Sequence, residues 1–388
     1  MEAPIDRLPV EIWQDILLLA IESDGLSVFA TTCTVSAFVH SSKLEDDSYS
    51  TYTSRRARLR QVCRAWNQFL LSTTSWWICI RGPTIFPRKT LDLPSITDQV
   101  PIIKRLSMTI TVEKCWRPGV IWAFDLLKRV ETPMLSFDLT LSLLYAHLSD
   151  EPHDVLAAVD HKVALHNLRI ASLSAADCIS ISFAQLSAHF KDLVSLSLFN
   201  VIMHSMEELT LPRLEYLYLY NTEEPTLETQ GWNLPRLRHV YLGLIFFPFD
   251  TLNFLERCAS QLESLILLEP CGFGGLPRDF WDSFPALQLL GVRYKALANR
   301  TWDGWATTPP RAHPFRYLLC CEYDGFDRKI DSIRSNWKYH EEVAFVVEER
   351  NTGQHYLVED IKKEGGKTRM TKINGLFPCL SFASLLCK

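Results

Sequence analysis

Gly365-Gly366-Lys367-Thr368 ends as a phosphate-binding loop ends. Such a loop cradles phosphates with backbone N–H groups and needs another glycine five residues before Gly366. Ile361 stands there, so the cradle is missing. Gly272, Gly274 and Gly275 lack the strand-to-helix setting of a dinucleotide loop. Cys320 and Cys321 could offer thiolates to zinc, but no His or Cys follows at zinc-ligand spacing. Neither a Gly-x-Ser-x-Gly elbow nor a His-Glu-x-x-His pair occurs. The sequence therefore predicts no catalytic residues, no metal site and no cofactor. An enzyme on the α/β part of the chain stays open as a third reading, to be recognised by a deep pocket with convergent titratable groups.

The residues that do stand out are suited to recognition. Tyr216, Tyr218 and Tyr220 alternate with Leu217 and Leu219, and His239 and Tyr241 flank Val240 in the same pattern. In a strand, alternate residues share a face, so the five rings form one aromatic patch if the two segments pair. Amphipathic aromatics of this kind favour protein–protein contact. The patch is either an exposed substrate-binding face or a surface covered by a loop or the C-terminal tail.

The elements that position these rings repeat along the chain. A phrase of apolar, two variable, apolar, one variable, apolar residues begins at Leu193 and Leu214, each followed by Asn, at 200 and 221. Weaker copies begin at Leu165, Leu237, Leu262 and Leu287, and the weakest lie near Ile103, Met134 and Phe315. From Leu193 onward the copies start 21 to 28 residues apart. Each phrase reads as one strand whose first, fourth and sixth residues fill a core. Since one repeat cannot bury its own face, neighbours must stack into a parallel sheet. Helical periodicity at 183–190 and 252–262 falls between phrases, where the chain must turn back. These phrases resemble leucine-rich repeats over residues 100–325. The Asn series is incomplete, and proline often precedes the strand (Pro212, Pro235, Pro285). Beyond 325 the phrase is lost. Residues 343–347 and 355–358 bracket Asn351-Thr352-Gly353 as a hairpin that could cap the solenoid.

The start of the chain has a different character. Residues 5–21 read as a short amphipathic helix with Pro9 in its first turn and Ile12, Ile16 and Leu19 on one stripe. A second helix is expected over 59–71, and a third after Ser or Thr near Trp76 and Trp77. So few residues cannot close a core around this much apolar surface, which must meet either a partner or the rest of the chain. The order Leu-Pro-x-Glu, Ile-x-x-x-Ile-Leu, Val-Cys-x-x-Trp, Ser-x-x-x-Trp resembles the F-box. It is carried by Leu8, Pro9, Glu11, Ile12, Ile16, Leu17, Val62, Cys63, Trp66, Ser72 and Trp76. The resemblance implies that Leu8, Pro9, Ile12, Ile16, Leu17, Val62, Cys63, Trp66 and Trp76 dock a Skp-type adaptor and, through it, a cullin. The departure is a Ser/Thr-rich, acidic insertion over 22–54, comparable to one in some fungal F-box proteins. Arg55, Arg56, Arg58 and Arg60 follow it as a solvated helix start or as partners of the acidic loop.

Composition agrees with this outline. The 388 residues are 47% hydrophobic, enough for a large core, and the net charge of −5 carries no nucleic-acid signature. The 11 cysteines show no CxxC pair and no regular spacing, which predicts free thiols in a reducing compartment, cytoplasmic or nuclear. Neither a signal peptide nor a membrane span is expected. The predicted fold is α/β. A small helical F-box (1–82, insertion about 22–54) precedes an irregular leucine-rich solenoid with a parallel sheet (83–325) and a capping segment with a hairpin (326–388). The function expected from the resemblance is a non-catalytic substrate receptor of a Skp–cullin–F-box ubiquitin ligase, the solenoid holding an unidentified protein substrate. The alternative is a Skp-bound scaffold acting outside a cullin ligase.

Overall fold

A computed structural model describes residues 12–14, 17, 53–72, 77–80, 105–112, 124, 127, 134–143, 153–159, 162–172, 179–203, 208–220, 231–243, 255, 257–268, 280–293, 310, 312–323, 343–349, 355–360 and 368–373. Along the chain the strands are β1 (Trp77–Ile80), β2 (Arg105–Val112), β3 (Met134–Leu143), β4 (His153–Asp154), β5 (Leu165–Ser172), β6 (Ile179–Ile181), β7 (Ser195–Phe199), β8 (Ile202–Met203) and β9 (Leu209–Thr210). They continue with β10 (Tyr216–Tyr220), β11 (Trp232–Asn233), β12 (His239–Gly243), β13 (Ser264–Leu267), β14 (Leu289–Arg293), β15 (Tyr317–Tyr323), β16 (Ala344–Glu349), β17 (His355–Asp360) and β18 (Thr368–Ile373).

Every repeat phrase contributes a strand to one 13-stranded sheet, in the order β1-β2-β3-β5-β7-β10-β12-β13-β14-β15-β16-β17-β18. Pairing is parallel from β1 to β16 and antiparallel from β16 through β17 to β18. Short strands on the return stretches also pair in parallel, β4-β6-β8 and β9-β11. The chain is a parallel-strand solenoid with few helices.

The phrase works as its spacing requires. Leu106, Phe137, Leu168, Leu196, Leu217, Val240, Leu265, Leu290, Leu318 and Phe345 pair successively across the sheet, all buried. The first positions of the phrase, from Leu165 to Phe315, are buried in the same core. Each side chain of this size contributes about 1.5–3 kcal/mol by leaving water.

The prolines have a local explanation. The amides of Leu214, Leu237 and Leu287 donate to the carbonyls of Leu211, Leu234 and Phe284, closing four-residue turns just before the strands. Pro212, Pro235 and Pro285 occupy the second position of those turns, where a fixed φ suits the common turn types. At the other end of β7, Asn200 has φ 52°, and its side-chain amide donates to the Ser172 carbonyl at 2.9 Å. Asparagine tolerates this left-handed conformation better than most residues. Asn221 lies outside the described residues. Phe183–His189 forms the helix expected between phrases, with the Ser182 hydroxyl accepting from the Gln185 amide at 3.2 Å. Of 252–262, the described part ends in a 3₁₀ turn, Ala259–Gln261.

Three expectations need correction. Trp77–Ile80 is a strand rather than the start of a third helix, and it pairs with Arg105–Met108 as the first strand of the sheet. Its aromatic and β-branched content favours that state. The helix expected over 59–71 is two helices, 53–60 and Arg64–Ser72, broken by a turn at 61–63. There the Cys63 sulfur accepts from the Trp66 amide at 3.5 Å. Finally, the solenoid does not stop at 325: β16 continues the parallel ladder before the expected hairpin turns back as β17.

Candidate functional site

Among the described residues of the N-terminal helices, some apolar side chains are buried and others exposed. Leu17 and Leu70 are each 1% exposed, and Trp13 meets Phe69 edge to face at 5.4 Å. An Arg56 Nη2 donates to the Leu70 carbonyl and ties helix 53–60 to helix Arg64–Ser72. Outside this packing, Ile12 is 46% and Val62 59% exposed. The Cys63 thiol is exposed and free, and Trp66 is half-buried. Val62 and Cys63 lie in the turn at 61–63, outside the helix that buries Leu70. Leu17, expected on the docking face, is buried. Leu8, Pro9, Ile16 and Trp76 lie outside the described residues, as does the insertion over 22–54 except at 53 and 54.

On the solenoid, the sheet face opposite the main core carries the five aromatic residues singled out above. Tyr216 pairs with His239 and Tyr218 with Tyr241 in the β10–β12 register. The Tyr216 and His239 rings stack at 4.4 Å, Tyr218 and Tyr241 at 4.2 Å, and Tyr220 stacks on Phe199 of β7 at 4.7 Å. Close approach requires glycine at one point, since a Cβ at Gly243 would strike the Tyr220 ring. The five rings are brought together, but they are not equally accessible. Tyr216, Tyr220 and His239 are half-buried, whereas Tyr218 and Tyr241 are 7% and 3% exposed. These two join Ile266, Leu268, Leu289, Tyr317, Leu319, Cys321 and Val346 in a second apolar cluster. Of the two alternatives, an open face and a covered surface, the described residues show some of each. The centre is core, because the next strands present aliphatic residues on the same face, and the rings pack against them.

At the N-terminal ends of the central strands the same face carries a polar element. Ser195, Ser197 and Ser264 lie among the rings around a small crevice. His239 Nδ1 and Ser264 Oγ are 2.8 Å apart. Burial, assisted by the neighbouring Arg238 charge, lowers the His239 pKa to about 4, so the ring is neutral at pH 7. Farther along the same cross-strand row, Asp138 and Arg169 occupy paired register positions, and both are buried. The signal was the alternation itself: serine at two successive face positions of β7, beside tyrosines, marks a narrowing in the side-chain layer.

Among the described residues, no three His, Cys, Asp or Glu side chains gather to hold a metal ion. Cys258, Cys320 and Cys321 are buried and outside any disulfide, and burial pushes the Cys258 pKa up to about 11. No described helix is long and apolar enough to cross a membrane. No family model matches the chain, and no curated protein matches it as a relative.

Proposed function

We propose that this chain is the substrate-recognition adaptor of a Skp–cullin–F-box ubiquitin ligase, its N-terminal helices docking the Skp-type adaptor and its solenoid holding a protein substrate. One observation carries the reading. Among the described residues, the exposed large hydrophobic side chains are Ile12 and Val62, and both belong to the ordered F-box pattern. Cys63 and Trp66, from the same pattern, adjoin Val62. Their exposure, in a segment that buries Leu17 and Leu70, leaves both side chains available to a partner surface. A docking face of this composition would draw most of its affinity from a few aliphatic and aromatic anchors. The solenoid suits the second role because a rigid parallel sheet presents side chains in fixed rows.

Co-expression with a Skp-type adaptor tests the docking. The wild-type chain is expected to co-purify, and Leu8→Ala with Pro9→Ala, or Val62→Asp alone, should lose the adaptor while the solenoid still unfolds cooperatively. A wild-type chain that never retains the adaptor would sink the proposal. Cullin recruitment and chain-dependent turnover of a co-purifying protein separate the ligase reading from a Skp-bound scaffold, which would show neither.

A further inference from the structure

The crevice between the aromatic pairs and the serines has features that the stacking of the rings does not explain. Its cavity volume is about 30 Å³, and Ser195, Ser197, Tyr216, Tyr218, His239 and Tyr241 are among its lining residues. A water needs roughly 10–15 Å³ of such space, so the crevice admits one or two waters or the polar end of a short side chain. Ser197 is 1% exposed, and its hydroxyl finds no hydrogen-bond partner among the described residues. A buried hydroxyl left in that condition is costly unless something from outside completes it.

The lining also limits what that something can be. It contains no side chain charged at pH 7: three serines, three tyrosines, a neutral histidine and the aliphatic Ile266, with Leu217 and Val240, whose side chains join the opposite core, completing the lining. The nearest charges among the described residues lie on neighbouring strands and already have interactions of their own. Arg238 pairs with Glu263 at 2.9 Å, and the buried Arg169, the register neighbour of Ser197, has the buried Asp138 as its register neighbour on the other side. A carboxylate or ammonium entering the crevice would lose hydration without meeting a free counter-charge. An aromatic ring is too large for the space.

We propose that this crevice is a specificity pocket for a neutral hydrogen-bonding side chain of a bound peptide segment, the hydroxyl of Ser or Thr or the carboxamide of Asn, whose polar end partners the Ser197 hydroxyl. This rests on the reading of the sheet face as the substrate surface, and it adds which residue the substrate presents. Tyr216 and His239, half-buried at the strand starts, form the mouth.

Two measurements on the full chain keep the two readings apart. In the first, acetamide, acetate and methylammonium are titrated separately while the ring signals of ¹³C-labelled His and Tyr are followed. Acetamide should shift the His239 and Tyr218 signals saturably, and the charged probes should bind about tenfold more weakly or not at all. Ser197→Ala should weaken acetamide by a similar factor, and Ser197→Val should block it by filling the space, both variants retaining the wild-type melting temperature within a few degrees. Equal binding of the charged probes, indifference to both substitutions, or no saturable shift because water alone occupies the crevice would each overturn the pocket. In the second, a displayed random-peptide library is selected on wild type and counter-selected on Tyr216→Ala. Enriched peptides should share one Ser, Thr or Asn whose change to Asp abolishes binding. Peptides that need Tyr216 but share no such residue would overturn the pocket and leave the recognition face standing. A library yielding no Tyr216-dependent peptide would remove the face itself.

Discussion

At the scale of single residues, the aromatic patch shows what alternation determines and what it leaves open. That Tyr216, Tyr218 and Tyr220 share a face with His239 and Tyr241 was legible, because the side-chain period of a strand is two and the register followed from the Leu phrase. Their burial was not. Whether a ring is covered depends on the next two strands and on chain far away in sequence, here on Ile266, Leu289 and Leu319. The two groups of rings should respond differently to truncation. Tyr241→Ala is expected to cost about 3–5 kcal/mol in denaturant unfolding, the range for a buried aromatic, while Tyr216→Ala costs much less. Equal costs would contradict the division between a core pair and a rim pair. His239 gives a second handle. Its folded pKa, about 4, lies below the ordinary value of 6.5, so burial favours the neutral ring in the native state. Its contribution is fully present above pH 6.5. As pH falls toward 4 the unfolded chain takes up a proton that the native ring does not, and stability drops by up to about 1.4 kcal/mol per pH unit before levelling off. Unfolding midpoints at pH 7.5 and 4.5 should therefore converge in His239→Gln relative to wild type, once the other titrating groups are subtracted as the part common to both proteins.

At the scale of elements, the phrases were the most legible part of the chain because each combines strand periodicity with a turn just before it. Leu211-Pro212-Arg213-Leu214 is a turn whose two leucines are both core, so the same residues specify the bend and the burial. Trp77–Ile80 was misread because a short aromatic run after Ser and Thr fits a capped helix as well as a strand. The partner that decides between them, Arg105–Met108, is 28 residues away. The break at 61–63 escaped notice for a similar reason: Leu59, Val62, Cys63 and Trp66 keep helical spacing through a turn, and nothing in that spacing records the Cys63 sulfur accepting the Trp66 amide. The break has a consequence for the docking reading. It assigns Leu70 to packing and Val62 to the outside, so the two should separate in one experiment. Leu70→Ala is expected to destabilise the helical segment by about 2–5 kcal/mol, as a buried leucine does, seen as early loss of helical signal on heating. Val62→Asp should leave that transition within about 0.5 kcal/mol of wild type, as surface changes usually do. A Val62→Asp variant that melts like Leu70→Ala would place Val62 in the core and remove it from any docking face.

At the scale of the whole molecule, the main sheet is one ladder in which each strand is held chiefly by its two neighbours, so its stability is set by nearest-neighbour contacts and by what closes the ends. The boundary drawn at 325 from the loss of the Leu phrase passes through continuous sheet. β15 pairs with β16 in parallel from Tyr317 to Tyr323, and β16 then pairs with β17 as the first antiparallel strand. The phrase was lost there because β16 carries Phe345, Val346 and Val347 where earlier strands carry leucines; the burial persists although the spelling changes. These residues serve both faces at once: Phe345 and Val347 extend the main core, and Val346 joins the cluster containing Tyr218 and Tyr241. Removing everything after 325 would therefore uncover an unpaired edge on β15, with Leu318 and Cys320 opened on one side and Leu319 and Cys321 on the other. Such an edge, apolar on both faces, is a template for association with other chains. A chain ending at 325 is expected to give mostly aggregated material on expression, and its soluble fraction should lose the sharp cooperative melt of the full chain. Should the shortened chain instead purify as a monomer with an unchanged melt, the strands beyond 325 would be an appendage, and the second apolar cluster would have to be held by β10 to β15 alone.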